Sequence, residues 1–264
     1  MHLTAEEKAA FKQDGVLIRR GLATPDQTKR AIALIDEAYR KDMTADDIPA
    51  YSQRTFAPHL GDSAELLALY TKTGAADLAT DLLGATTPVS TTQTQIRVPE
   101  AEFPGVQQEK AMHVDGVSCP HLDPKELRTF SLLVGVVLSD ISDPQCGALH
   151  YLPGGHLTMA RWFNQKWSLG LTDQVPPEID RERGVPFLGR PGDVLLMHHL
   201  VPHTVAQNLM PFPRVMAYFR ISHPDHASRR LEALRNPWLD YPPLAEIPSA
   251  PTSQEQSHAH RPPH

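Results

Sequence analysis

The feature that most limits how this chain can fold is a series of short apolar segments in its second half, each closed by glycine or proline. Phe130 to Leu138, Gly147 to Leu152, Val185 to Leu188, Asp193 to His198, His203 to Asn208 and Arg214 to Ser222 are too short for typical helices and rich in β-branched and aromatic residues. Thr87 to Val98 precedes them and alternates in the manner of a strand. Short strands at this spacing predict a mainly β fold, an all-β barrel or cupin-like jelly roll (double-stranded β-helix). The 25 Pro and 15 Gly among 264 residues agree, because a helical bundle needs fewer turns. No internal repeat is evident.

The first 84 residues follow a helical period instead. Thr4 with Glu7, and Thr24-Pro25 with Gln27, are capping boxes that open two helices. The second carries Ile32, Ile35, Ala38 and Tyr39 on one face. Asp14-Gly15 separates them, and Val16-Leu17-Ile18 reads as a buried strand. Ser63 to Tyr70 and Ala75 to Leu83 predict two more short helices, the last ended by Gly84. We therefore expect one domain over 1–248: flanking helices in 1–84, a jelly-roll core at about 87–222 and an extension at 223–248. The Pro-, Ser- and His-rich segment 249–264 is expected to be a disordered tail.

Charge and cysteine content narrow the function classes. A net charge of −6 leaves no polybasic surface for nucleic acid or anionic lipid, so a small molecule is the expected partner of a monomer or homodimer. No apolar run approaches the roughly 20 residues that span a bilayer. Two cysteines, Cys119 and Cys146, are too few for a disulfide framework and suit a cytoplasmic protein.

The chemistry centres on His113-Val114-Asp115-Gly116. In an extended strand, residues i and i+2 share a face, so an imidazole and a carboxylate stand side by side. Three His-x-Asp motifs occur, but His121-Leu122-Asp123 lies between prolines and His223-Pro224-Asp225 has one inside it. A third ligand must come from elsewhere, and the segment Pro191 to His203 offers His198, His199 and His203. His203 is the favoured candidate. Two histidines and one carboxylate with open positions is the ligand set of non-haem Fe(II) oxygenases. Arg214 opens the return strand after His203-Thr204-Val205 and the Pro211-Phe212-Pro213 turn. If these strands pair, Arg214 lies roughly 13 Å along the strand from His203, at about 3.3 Å per residue. Its planar fork then suits the far carboxylate of a metal-chelated dicarboxylic acid.

These residues resemble the phytanoyl-CoA dioxygenase family of Fe(II)/2-oxoglutarate-dependent oxygenases, which includes ectoine hydroxylase. The resemblance runs through Leu3-Thr4 to Gly15, the Gln93 strand, His113-Val114-Asp115, Gly147 to His156, Gly192-Asp193, His203 and Arg214. It implies that His113, Asp115 and His203 bind iron, that Arg214 holds the distal carboxylate of 2-oxoglutarate, and that Gln93 lies beside this cosubstrate. Where relatives commonly place a small residue and then a serine that assists the arginine, this chain has Thr204 and then Val205. The implied reaction consumes O2, releases succinate and CO2, and hydroxylates an unactivated C–H bond; the retained Asp115 disfavours halogenation. Substrate contacts are expected from parts overhanging the barrel: Tyr51 and Arg54 in the Asp46 to His59 loop, Gln95 and Arg97, His150, and Trp162 and Lys166 in an Arg161 to Gly184 insertion. His156 is assigned to the Pro153-Gly154-Gly155 turn. The competing readings are a non-redox cupin hydrolase, isomerase or ligand-binding protein, and an inert interaction scaffold.

Overall fold

The computed structural model describes residues 1–247 apart from 45, 52–53, 109–110, 118–122, 124, 172–173, 176 and 178–183. The expected tail at 249–264, Cys119, His121 and part of the Arg161 to Gly184 insertion lie outside the described residues. Two antiparallel sheets face each other. The larger contains β1 (Val16–Arg19), β2 (Gln93–Arg97), β3 (Leu132–Val137), β6 (Val194–His198) and β8 (Arg214–Ile221), in the order β1-β6-β3-β8-β2. The smaller contains β4 (Leu149–Tyr151), β5 (Val185–Pro186) and β7 (His203–Val205), in the order β5-β4-β7.

Alternation sorts the side chains of the larger sheet onto two faces. One face, with Val134 and Val136 of β3, Leu196 of β6 and Ala217 and Phe219 of β8, packs against helices α2 (Pro25–Asp42), α4 (Ala64–Thr71) and α5 (Ala75–Leu83) through Ile35, Leu66, Leu69, Leu78 and Leu82. The opposite face, with Leu133, Val137, Leu195, Met197, Met216 and Tyr218, packs against Leu149 and Tyr151 of the smaller sheet. Every residue of β3 is buried as a result, which is why its sequence is an unbroken apolar run.

The helical first part follows its sequence signals closely. Thr4 caps α1 (Ala5–Asp14) and Thr24 caps α2, each with the reciprocal side-chain bond from Glu7 or Gln27 in place. Gly15, at φ 74°, ends α1 in the left-handed region where a side chain would be strained. At the entry to β6, Asp193 accepts hydrogen bonds from Arg20 Nη1 and the Gly21 N–H, both at 2.7 Å, and ties the loop after β1 to the barrel.

Three expectations need correction. The chain holds more helix than strand, so "mainly β" describes the core alone. The strands are shorter than their apolar segments; from Thr87 onward only Gln93–Arg97 joins the sheet, and β7 ends at Val205. The insertion expected from Arg161 begins inside a helix, α6 (Gly155–Gln165), whose Met159, Ala160 and Phe163 pack with Leu234 of α7 (Arg230–Arg235). Gly155 and the β-branched Thr158 mask that helical period in the sequence. His156 is accordingly a buried residue of the first turn of α6, its ring 5.1 Å from that of His198, and not a turn residue. Within the loop from Asp46, residues Ile48–Tyr51 form a single helical turn, α3.

The segment after β8 is fastened through a buried polar network. Asp240 accepts from Ser131 Oγ at 2.6 Å and from Arg229 Nε at 3.1 Å, and its Oδ2 lies 2.5 Å from His226 Nδ1. Burial pushes the Asp240 carboxyl up, but its bonds with His226 and Ser131 outweigh this and bring it down to about 2. Asp240→Asn removes the buried carboxylate to which Ser131 and Arg229 donate and is expected to cost about 3 kcal/mol in urea unfolding at pH 7. Burial also holds His156 at about 4 and His199 at about 3. Unfolded histidines titrate near 6.5, so below that pH the unfolded chain takes up protons that the native state refuses. Stability therefore falls with acid, by about 2 kcal/mol per histidine at pH 5, and urea titrations at pH 7 and pH 5 measure this.

Candidate metal centre

His113 and His203 are joined before their side chains meet. The His113 N–H donates to the His203 carbonyl and the His203 N–H to the His113 carbonyl, both at 3.0 Å, which makes them a hydrogen-bonded antiparallel pair. Residues paired in this way project on the same side of a sheet. Their rings stand 4.9 Å apart. Each imidazole places its Nδ1 on the backbone carbonyl two residues earlier, His113 on Ala111 at 3.1 Å and His203 on Val201 at 3.0 Å. A carbonyl only accepts, so Nδ1 carries the proton and the Nε2 lone pair is left for a ligand.

Asp115 completes the cluster. The expected strand at 113–115 is a single bridge followed by a turn, yet Asp115 Oδ1 lies 3.6 Å from His113 Nε2 and 3.9 Å from His203 Nε2. The three ligand atoms all fall within 4.8 Å of one another. Gly116 makes the turn possible: its φ is 76°, and a Cβ there would sit 2.4 Å from the Arg128 carbonyl oxygen. Burial raises the Asp115 carboxyl, but the neighbouring His113 ring and the charges of His203 and Arg220 outweigh it and hold the group well below the ordinary carboxylate range. Burial lowers His203, against the opposing pull of Asp115. These shifts run toward an ionised Asp115 carboxylate and a neutral His203 imidazole, the states that bind metal.

Gln93, Gln95, Arg97, His113, Asp115, His203, Thr204 and Arg214 line one pocket, together with Leu133, Leu149, Val205, Tyr218 and Arg220. Register explains the grouping, since Gln93 pairs with Tyr218, Gln95 with Met216 and Arg97 with Arg214 across β2 and β8. Arg97 therefore lies at the Arg214 end of the pocket. Its guanidinium donates to the carbonyls of Gln107 at 3.2 Å and Val205 at 3.0 Å. Arg214 is 1% exposed, donates to the Tyr218 hydroxyl at 3.3 Å and has a buried Nε without a hydrogen-bond partner. A buried, incompletely used guanidinium facing a cavity suits a carboxylate. Thr204 belongs to the wall, but alternation turns its side chain away from the face that His203 and Val205 share.

Five residues expected at the substrate lie outside the lining of this pocket. Tyr51 packs edge-on against Phe56, ring centroids 5.1 Å apart, and Arg54 is exposed. His150 sits between Leu149 and Tyr151, both of which face inward, so it takes the other face of β4. Trp162 lies on α6 against Phe163, and Lys166 caps that helix, because the segment is helical. His198 and His199 are also displaced from the site. They are buried and bonded to the carbonyls of Pro237 at 2.7 Å and Ser131 at 3.2 Å. Arg220 and Tyr218 escaped the sequence reading, although counting by two along the strand from Arg214 reaches both.

A two-histidine, one-carboxylate centre between two facing sheets, with a buried arginine behind it, defines a class of metal-dependent enzyme scaffold. The chain belongs to the phytanoyl-CoA dioxygenase (PhyH) family, whose model matches residues 11–216. Solved structures of similar fold include the non-haem, α-ketoglutarate-dependent carbocyclase SnoK from nogalamycin biosynthesis, at 17% identity and TM-score 0.56 over 86% of this chain and 90% of that one. HygX from Streptomyces hygroscopicus, solved with nickel and 2-oxoglutarate, is 17% identical at TM-score 0.58 over 84% and 88%. EctD from S. alaskensis, solved with bound Fe, is 23% identical at TM-score 0.59 over 83% and 76%. No curated protein sequence gives a significant match. The nitrogen and oxygen donors of the cluster fit Fe(II), and Arg214 fits the dicarboxylate 2-oxoglutarate.

Gly116→Ala is expected to weaken Mn(II) binding by about tenfold or more in calorimetric titration, because Asp115 must shift when the turn opens. A thermal melt close to that of the wild type would show that the loss is local.

Proposed function

We propose that this protein is an Fe(II)- and 2-oxoglutarate-dependent dioxygenase that hydroxylates a C–H bond of a small metabolite. The observation that carries the reading is the pairing of His113, Asp115 and His203 with the buried Arg214 in one pocket. When bound together, Fe(II), 2-oxoglutarate and O2 supply the oxidation, with release of succinate and CO2.

The residues of the chain divide the remaining work. His113 and His203 offer Nε2, and Asp115 offers Oδ1, on one side of the metal position, so the other side stays open. Arg214 holds the far carboxylate of the cosubstrate and Tyr218 fixes the angle of that guanidinium. Arg97, by its charge and place beside Arg214, favours the same dianion. Gln93 and Gln95 offer carboxamides along the wall between Arg214 and the entrance, and Leu133, Leu149 and Val205 keep that wall dry. A dry wall strengthens each charge contact and limits unproductive turnover. Halogenating relatives look to lose this carboxylate, so the presence of Asp115 favours hydroxylation over halogenation. No helix of the described residues is long and apolar enough to cross a membrane.

Anaerobic addition of Fe(II) and 2-oxoglutarate is expected to produce a visible charge-transfer band, which His113→Ala and Asp115→Ala abolish. Arg214→Ala is expected to raise the 2-oxoglutarate concentration for half-maximal succinate formation by about tenfold or more, since a buried charged partner is lost. Metal binding without the band, and no succinate on admitting O2, would favour a non-redox cupin.

A further inference from the structure

The pocket contains more positive charge than the cosubstrate uses. Three guanidinium groups, those of Arg97, Arg214 and Arg220, line it, and Asp115 is the one carboxylate among the described lining residues. A divalent metal and the 2-oxoglutarate dianion cancel each other, so the excess stands when both are bound.

The three arginines are not equivalent. Arg97 is 6% exposed and spends its N–H groups on the carbonyls of Gln107 and Val205. Arg214 is buried at the closed end. Arg220 is different: its side chain keeps 40% of its surface exposed, and Asp115 Oδ2, at 3.2 Å, is its one hydrogen-bond partner among the described residues. Its exposure marks the open end of the pocket, as the burial of Arg214 marks the closed end. The Phe130 ring, 5.2 Å from its guanidinium carbon, supports that plane from one side. A guanidinium over an aromatic ring, with N–H donors beyond the one given to Asp115, suits a planar or tetrahedral oxyanion.

Position decides what such an oxyanion would belong to. Arg220 and Arg214 lie six residues apart on the same face of β8, roughly 20 Å at about 3.3 Å per residue. Arg214 donates to Tyr218 and Arg220 to Asp115, so the two guanidiniums serve different partners and Arg220 stands apart from the group that would receive the cosubstrate's far carboxylate. Asp115 Oδ1 faces the histidines while Oδ2 meets Arg220, so an anion on Arg220 sits one carboxylate's width from the metal position, on the entrance side.

We propose that Arg220 anchors an oxyanion, a carboxylate or a phosphate, on the substrate of this centre, and that the substrate is therefore an acid. The inference rests on the dioxygenase reading and adds the chemical class of its substrate.

The experiment uses the full chain with saturating Fe(II) and 2-oxoglutarate. Small aliphatic carboxylic acids are each matched with the corresponding amide, and phosphate monoesters with the parent alcohols. Two signals are read: the anaerobic shift of the visible band, and succinate formed after O2 is admitted. The wild type is expected to respond to acids at concentrations about tenfold or more below those of their neutral partners. Arg220→Gln is expected to bring that ratio close to one through apparent affinity more than maximal rate, and Arg220→Lys to restore part of it. The carboxylate and phosphate arms identify which oxyanion is preferred. Equal response to acids and neutral partners in the wild type, an unchanged ratio in Arg220→Gln, or no response to any acid would overturn the proposal. Absence of the band itself would overturn the dioxygenase reading, and this one with it.

Discussion

The site depends on one backbone pairing, the two reciprocal hydrogen bonds between His113 and His203. It brings residues ninety positions apart onto one side of the smaller sheet's edge, with both Nδ1 atoms already committed to carbonyls. Asp115 then needs only the turn that Gly116 permits. Two of the three ligands are thus oriented by main chain, which has far fewer conformations to lose on metal binding than side chains held by packing alone. The turn at Gly116 is held in its place by the Arg128 N–H, which donates to its carbonyl at 2.9 Å.

The larger sheet supplies everything behind and beside that edge, and a single rule governs what it supplies. Odd positions of β2 and even positions of β8 face the pocket; their neighbours enter the helical layer. Gln93, Gln95 and Arg97 therefore stand opposite Tyr218, Met216 and Arg214, while Thr94, Ile96, Val215 and Ala217 are buried on the other side. A one-residue slip of β2 against β8 would send Arg97 into the apolar cluster under α2, α4 and α5. The cost of burying that charge is a strong reason for the register to be unique. The helices and the Asp240 network hold the outside of the same sheet, so the polar pocket rests on a rigid apolar support.

Much of this was legible in the sequence because it depends on local chemistry. The capping boxes at Thr4 and Thr24, the stop at Gly84 and the apolar run of β3 each carry their cause within a few residues. The pairing of His113 with Asp115 was legible for the same reason, even though a bridge and turn replace the strand. Arg214 was reached through an expected pairing of its strand with that of His203, but β7 and β8 lie in different sheets, and it is the facing of the two sheets that brings Arg214 to the pocket. What could not be read depended on contacts made far along the chain. His198 and His199 have the same local signals as His203, and only the tertiary fold turns them towards Pro237 and Ser131 and away from the site. Tyr51, Arg54, His150 and Trp162 were plausible by chemistry alone, but helix periodicity in α6 and alternation in β4 direct Trp162 and His150 elsewhere. Arg220 was missed because its meaning depends on Asp115, a hundred residues away.

The central claim is that His113, Asp115 and His203 hold a metal while Arg214 receives the far carboxylate of 2-oxoglutarate. A crystal structure of the full chain with Mn(II) in place of Fe(II), grown with 2-oxoglutarate, tests it most directly. The account predicts an anomalous peak within coordination distance of His113 Nε2, His203 Nε2 and Asp115 Oδ1, with the distal carboxylate on the Arg214 guanidinium. A metal bound elsewhere, or 2-oxoglutarate placed away from Arg214, would contradict it.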